Sequence, residues 1–341
     1  MNKRAIVIGT PYASYSLSLS EALRENGVDN ILMVYPVPNI YLKNVKFISA
    51  LYEYFFKRYY CRKFLKECID KGSGSDFLIL FGMNHFSNDQ LLEIKKKTGV
   101  KIVLWFIDSI KAFPDFYRAI AISDFQITYN RSDMEKLVAK GGVCVFAPLA
   151  YDNHYYHPVE GTIKKYDLYF IGSLKGRVEF FEQLFTRLSD QNLKIRIDGK
   201  LRFWFKRRNE KKYPLFFKYY WPKNLNHKEI NDVYNASRLC LNIQPPQAET
   251  GFSIRTFEIC GAGAVQLTNG NRQLLDTLFD TENDLIYYNK IDDLANKIIE
   301  MLKPEKEKTL EKIAANGFLR ASSDHTFKRR VKEIISFISI R

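Results

Sequence analysis

The chain has no apolar run long enough to span a bilayer. It also shows no secretory leader: after Met1-Asn2-Lys3-Arg4, the residues Ala5-Ile6-Val7-Ile8 read as a first strand rather than an apolar leader core. Five cysteines are scattered without C-x-x-C spacing, which argues against a disulfide framework or a zinc site and fits a reducing cytoplasm. His154 and His157 lie three apart with no further ligand cluster, and no D-x-D motif falls in a convincing loop, so no metal is expected. Gly9 stands without a G-x-G-x-x-G, so there is no dinucleotide fingerprint. Low-complexity and disordered compositions are absent as well.

What is present is a chain of 341 residues, long enough for two domains with proper cores, and a net charge of +14. Such a charge points to a polyanionic neighbour: nucleic acid, anionic lipid or a phosphorylated substrate. It is unevenly spread. Between Leu201 and Lys223 eight basic residues face Glu210 alone, interleaved with Phe203, Trp204, Phe205, Phe216, Phe217, Tyr219, Tyr220 and Trp221. A similar stretch runs from Lys43 to Lys66 around Phe55-Phe56-Lys57-Arg58-Tyr59-Tyr60. Aromatics beside cations suit an anionic membrane surface, single-stranded nucleic acid, or packing beneath a solvated basic face. No recognised nucleic-acid motif accompanies them, so no nucleic-acid partner is expected.

Apolar runs alternate with amphipathic stretches throughout, the pattern of doubly wound α/β sheets. In the first half, strands are expected at Ala5–Ile8, Asn30–Tyr35, 76–81, 101–107, 123–130 and 143–146, with a long helix over 45–71. Strand ends carry the candidate polar groups in such folds. Here these are Gly9, Thr10 and Tyr12 after the first strand, His85 after the third and Asp108 after the fourth. His85 reads first as a hydrogen-bonded structural histidine, whereas Asp108 reads equally as a turn cap.

The second half restarts with Tyr166–Ile171, followed by Gly172-Ser173-Leu174-Lys175-Gly176-Arg177, a glycine turn with two cations opening a helix. The chain then centres on Gln247–Leu267 (QAETGFSIRTFEICGAGAVQL), which follows the strand Leu239–Ile243 and Pro245-Pro246. Gly251 allows a tight turn, and Ser253 can cap the helix after it. Amides from Gly251 through Phe252, Ser253 and Ile254, with the planar fork of Arg255, would hold an anion. Glu258, three residues on, would accept from hydroxyls such as a ribose diol. The same pair reads equally as a buried Arg–Glu fastener.

Ser253-Ile-Arg-Thr-Phe-Glu-Ile-Cys-Gly-Ala-Gly-Ala264 resembles the R-x-F-E-x-x-A/C-x-G-A segment of CgeB-like GT-B glycosyltransferases. Further blocks resemble that group in the same order from about residue 75 onward: 105–109, the 147–158 bridge, and 170–177, where the arginine comes one position early. The resemblance implies a GT-B fold, two facing Rossmann-like doubly wound α/β domains with a cleft between them. An acceptor-binding domain would span 1–158, a nucleotide-sugar-binding domain 159–320, and a final helix, 321–341, would return to the first domain. It implies a metal-independent transfer from a nucleotide-diphosphate sugar, UDP- or GDP-linked and with no other cofactor. The acceptor would be a surface polysaccharide, a lipopolysaccharide or another glycan, or a lipid-linked glycan, at the inner face of the cytoplasmic membrane. A non-catalytic nucleotide- or carbohydrate-binding protein in envelope or spore-coat assembly is the alternative. Two glutamates eight apart are common in retaining relatives. Position 250 here is threonine and Glu249 is one residue off, so Glu249 and Asp108 both stand as candidates beside Arg255 for the catalytic step.

Overall fold

The computed structural model describes residues 3–10, 13–34, 46–82, 86–112, 117–201, 203–245 and 250–340, except the side chains of residues 13, 46–54, 57, 112 and 203. Tyr12, His85 and Glu249 lie outside the described residues. The chain divides into two compact units: residues 1–148 with 327–341, and residues 149–326. These limits differ from those expected at 158 and 320.

Unit 1 is a parallel sheet of six strands: β1 (Lys3–Gly9), β2 (Val28–Val34), β3 (Phe77–Phe81), β4 (Lys101–Trp105), β5 (Phe125–Thr128) and β6 (Cys144–Phe146). They are ordered β2-β1-β3-β4-β5-β6. Register pairs Ile6 with Leu78 and Leu78 with Ile102, so the near-continuous apolar runs stack as the two-sided burial of a parallel sheet requires. The long helix Lys46–Gly72 lays Cys61, Phe64 and Cys68 on the core that includes Ile6, Leu78, Leu80 and Ile102. The C-terminal helix Phe327–Ser339 belongs to this unit. It meets the helix Ala13–Glu25 through the Lys328 carbonyl, which accepts from Asn26 Nδ2 at 3.0 Å, and brings Phe337 edge-on to Phe125.

Unit 2 holds β7 (Tyr166–Ile171), β8 (Ile195–Asp198), β9 (Tyr220–Trp221), β10 (Ser237–Asn242), β11 (Gln266–Thr268) and β12 (Ile286–Tyr287). Their order is β12-β11-β10-β7-β8-β9, again all parallel. Alternation decides the faces. Leu168, Phe170, Ile195 and Ile197 enter the main core beneath the helices Val178–Arg187 and Ile291–Met301. Tyr169 turns the other way, its ring 5.6 Å from that of Tyr234 on the helix His227–Asn235.

The 201–223 stretch is built into this unit: Phe205, Tyr213, Leu215, Phe216, Phe217, Tyr219 and Tyr220 pack on the core and Tyr220-Trp221 completes the sheet as its edge strand. The helix before β10 is His227–Asn235, and Asn226 starts it with a capping box to Glu229.

Candidate active site

Open α/β sheets bind ligands beyond the carboxyl ends of their strands, where the strand order reverses. In unit 1 the reversal falls between β1 and β3. Gly9 and Thr10 end β1 there, and Asp108 follows β4, so the structure brings these three predicted residues to one edge of the unit. Gly9 is a close-approach glycine: a Cβ would sit 2.2 Å from Ser16 Oγ. Thr10 is buried, and its carbonyl accepts from Ser16 Oγ at 3.2 Å. Asp108 is half-buried. Its Oδ1 accepts from the Ser109 amide at 2.8 Å and the Tyr129 hydroxyl at 3.5 Å. Burial, with Asp108 and Asp133 nearby, holds the Tyr129 phenol well above its ordinary range, so it stays a donor.

In unit 2 the reversal falls between β7 and β10, which places the 172–177 turn beside the chain leaving Asn242. Arg177 spans the gap. Its Nη1 donates to the Ser173 carbonyl at 3.0 Å, its Nη2 to the Ile243 carbonyl at 2.9 Å, and the guanidinium lies over the Phe170 ring. Burial lowers its pKa somewhat from the ordinary arginine range, and the group stays charged at any ordinary pH. The sequence cast Arg177 as an anion ligand, and the structure shows it bracing two loops. Gly172 is half-buried, whereas Ser173 and Lys175 are exposed.

The other side of the reversal is set by a buried polar network. Asn242 Nδ2 donates to Thr256 Oγ1 at 3.0 Å and to Gln266 Oε1 at 2.8 Å, and Gln244 Nε2 reaches the same Thr256 oxygen at 2.9 Å. Ser253 closes the network: its amide donates to Gln244 Oε1 at 2.9 Å and its hydroxyl to Asn242 Oδ1 at 3.2 Å. Ser253 therefore does not cap the helix. Arg255–Gly261 begins after Ile254 with no side-chain cap, and seven residues make a short dipole. Gly251 and Phe252 are buried beside this network, and Ile254 is half-buried.

Arg255 Nη1 donates to Glu258 Oε2 at 2.5 Å. The side chains are 25% and 1% exposed, so one end of the pair reaches solvent and the other does not. Glu258 Oε1 is buried with no hydrogen-bond partner among the described residues. A carboxylate oxygen left so costs on the order of 1–3 kcal/mol or more unless a donor arrives.

Sequence reading passed over His227, which stands at the start of its helix. Tyr156, from the segment after β6, places its hydroxyl 2.7 Å from His227 Nδ1, and Tyr155 stacks on the imidazole at 5.0 Å. Burial lowers the His227 pKa below 6.5, with Glu258 and Asp152 opposing that shift and Arg255 adding to it. Charges of Arg255 and Glu258 are thus felt at the imidazole, and Tyr234 is buried in the same neighbourhood. The only signal in the sequence was a histidine directly after a capping asparagine. His325, in contrast, is structural: buried against Phe257 and Phe279, with its ring nitrogen 2.9 Å from the Leu278 carbonyl.

Comparison with known proteins gives a matching context. Residues 177–336 match a family described as glycosyl transferase-like. No curated protein matches the sequence significantly. Among solved structures, a sucrose-phosphate synthase from Thermosynechococcus elongatus superposes with a TM-score of 0.70 at 12% identity, over 99% of this chain and 98% of the other. HepE from Anabaena, solved with UDP-glucose, gives 0.66 at 11% identity over 99% and 100%. A UDP-forming α,α-trehalose-phosphate synthase from Burkholderia xenovorans gives 0.68 at 9% identity over 99% of each chain. The fold is that of GT-B glycosyltransferases, two Rossmann-like units of six parallel strands each, and the glycosyl transferase-like match covers a little under half of the chain.

Proposed function

We propose that the protein transfers a sugar from a nucleotide-diphosphate donor, UDP- or GDP-linked, to a glycan or lipid-linked glycan acceptor of the cell surface, as CgeB-like relatives would. The observation that carries this reading is the half-satisfied Glu258: a buried carboxylate with one oxygen on Arg255 and the other without a donor among the described residues, one turn into the helix beyond β10. A ribose hydroxyl supplies the missing donor. The family match over residues 177–336 supports the assignment, and HepE, a neighbour of like fold, was solved with UDP-glucose.

In this reading the diphosphate lies across the 172–177 turn and the start of the 255–261 helix. Lys175 is exposed beside the braced turn and meets the phosphates as a mobile point charge. Arg255, a quarter exposed, meets the phosphates from the side while holding Glu258. Negative charge that grows on the leaving diphosphate is balanced by these cations, the electrostatic contribution that usually dominates such transfers, and they take the role of a metal. Asp108 receives the acceptor hydroxyl proton in unit 1. A thermal-shift panel of nucleotide sugars tests the reading. One UDP- or GDP-sugar should stabilise the wild type and be hydrolysed slowly, with both effects lost in Arg255→Ala. A panel with no shift for any nucleotide would refute it.

A further inference from the structure

The residues 203–218 expose a cluster of basic side chains and one indole on two short helices packed against the core. The helices Phe203–Asn209 and Pro214–Tyr219 anchor through Phe205, Leu215, Phe216 and Phe217, and the Glu182 carboxylate accepts from the amides of Leu215 and Phe216 at 3.3 and 2.7 Å. What this leaves outside is Trp204, 67% exposed, with Lys206, Arg207, Arg208, Lys211, Lys212 and Lys218. Against these stands Glu210, 3.9 Å from Lys206.

We propose that this face docks the protein on an anionic phospholipid bilayer. Two features select lipid as the occupant. Charge complementarity calls for a polyanion, and a lone indole beside lysines and arginines is the composition that settles at the headgroup level. Single-stranded nucleic acid would instead need successive exposed rings on which bases stack. The described aromatics of the stretch are mostly turned into the core, and the half-exposed Trp221 lies over Arg196. Docking needs neither donor nor acceptor, so the proposal stands or falls apart from the transferase reading.

The test is co-sedimentation of the full chain with vesicles of phosphatidylcholine alone or with phosphatidylglycerol. Binding should require phosphatidylglycerol and weaken with added salt. Each cation near such a surface contributes about fivefold in affinity, so Arg207→Ala/Arg208→Ala/Lys211→Ala should bind about a hundredfold more weakly with an unchanged melting temperature. Trp204→Ala should dissociate at lower salt than the wild type. A control triple, Lys303→Ala/Lys308→Ala/Lys312→Ala, removes as many exposed charges elsewhere in unit 2 and should bind like the wild type. Equal losses in the two triples would reduce the effect to net charge and overturn the proposal. So would retention on phosphatidylcholine alone, or tighter binding to a single-stranded oligonucleotide that the first triple abolishes.

Discussion

Arg255→Ala separates a fastener from a binding site when it is read together with a second variant. Glu258 is 1% exposed and pairs with Arg255 at 2.5 Å, so removing the guanidinium leaves a buried carboxylate with neither oxygen bonded among the described residues. Breaking a buried pair costs roughly 3–5 kcal/mol. Because Arg255 is 25% exposed and water can enter its place, the lower end of that range is expected. For a unit of this size about 3 kcal/mol lowers the melting temperature by about 6–12 °C. Arg255→Met/Glu258→Leu removes both charges and fills the space with apolar atoms, and should recover most of that loss. Calorimetry on both variants gives the stability half. Titration with UDP and GDP gives the other half: both variants should bind at least about tenfold more weakly, the size of one charge-assisted hydrogen bond. A double variant that is stable and binds nucleotide like the wild type would refute the site and leave a fastener. An Arg255→Ala protein that melts with the wild type would refute the burial argument itself.

Three further outcomes follow. Gly261→Ala should destabilise unit 2 by about 1–3 kcal/mol in urea titrations, because the new Cβ would lie 2.3 Å from the Tyr151 ring. His227 is held below 6.5 in the folded unit, so the unfolded chain protonates first as pH falls. Stability from this group is complete above about 6.5 and drains away as pH drops from there through the lower folded value, and His227→Gln should flatten that limb of a stability–pH curve. Lys175→Ala should weaken UDP or GDP binding about tenfold without moving the melting temperature, since the side chain is exposed, and turnover of the wild type should persist in EDTA.

Much of the architecture was legible because a parallel sheet buried on both faces writes its strands as apolar runs. Those of β1, β3, β4 and β7 were readable to within a residue or two. What escaped depends on contacts between distant residues. The edge strand Tyr220-Trp221 is two residues long and looks like the cationic stretch around it until it pairs with Ile197 and Asp198. His227 meets Tyr156 across 71 positions, and no local pattern announces that pairing. Arg177 read as a phosphate ligand because a basic glycine turn is one. That two of its donors serve Ser173 and Ile243 depends on β7 lying beside β10, which the order of strands along the chain does not state. The Arg255–Glu258 spacing was visible, whereas the orphaned Oε1 was not.

The braces at the unit 2 reversal bear on affinity as well as on shape. A loop that must be ordered by its ligand subtracts that ordering from the binding free energy. Here Arg177 holds the 172–177 turn to the Ile243 carbonyl, and Gln244 and Asn242 hold the Ser253 backbone and hydroxyl, before any ligand is present. Thr256 is the hinge of the second brace, since its single hydroxyl accepts from both amides. A buried network with every donor placed fixes one geometry and tolerates little else. Replacing Thr256 with valine would remove one of two acceptors from each amide at once, leaving Asn242 on Gln266 and Gln244 on Thr268. The segment entering the Arg255 helix would then lose its register, and nucleotide affinity would fall by a route that never touches a ligand atom.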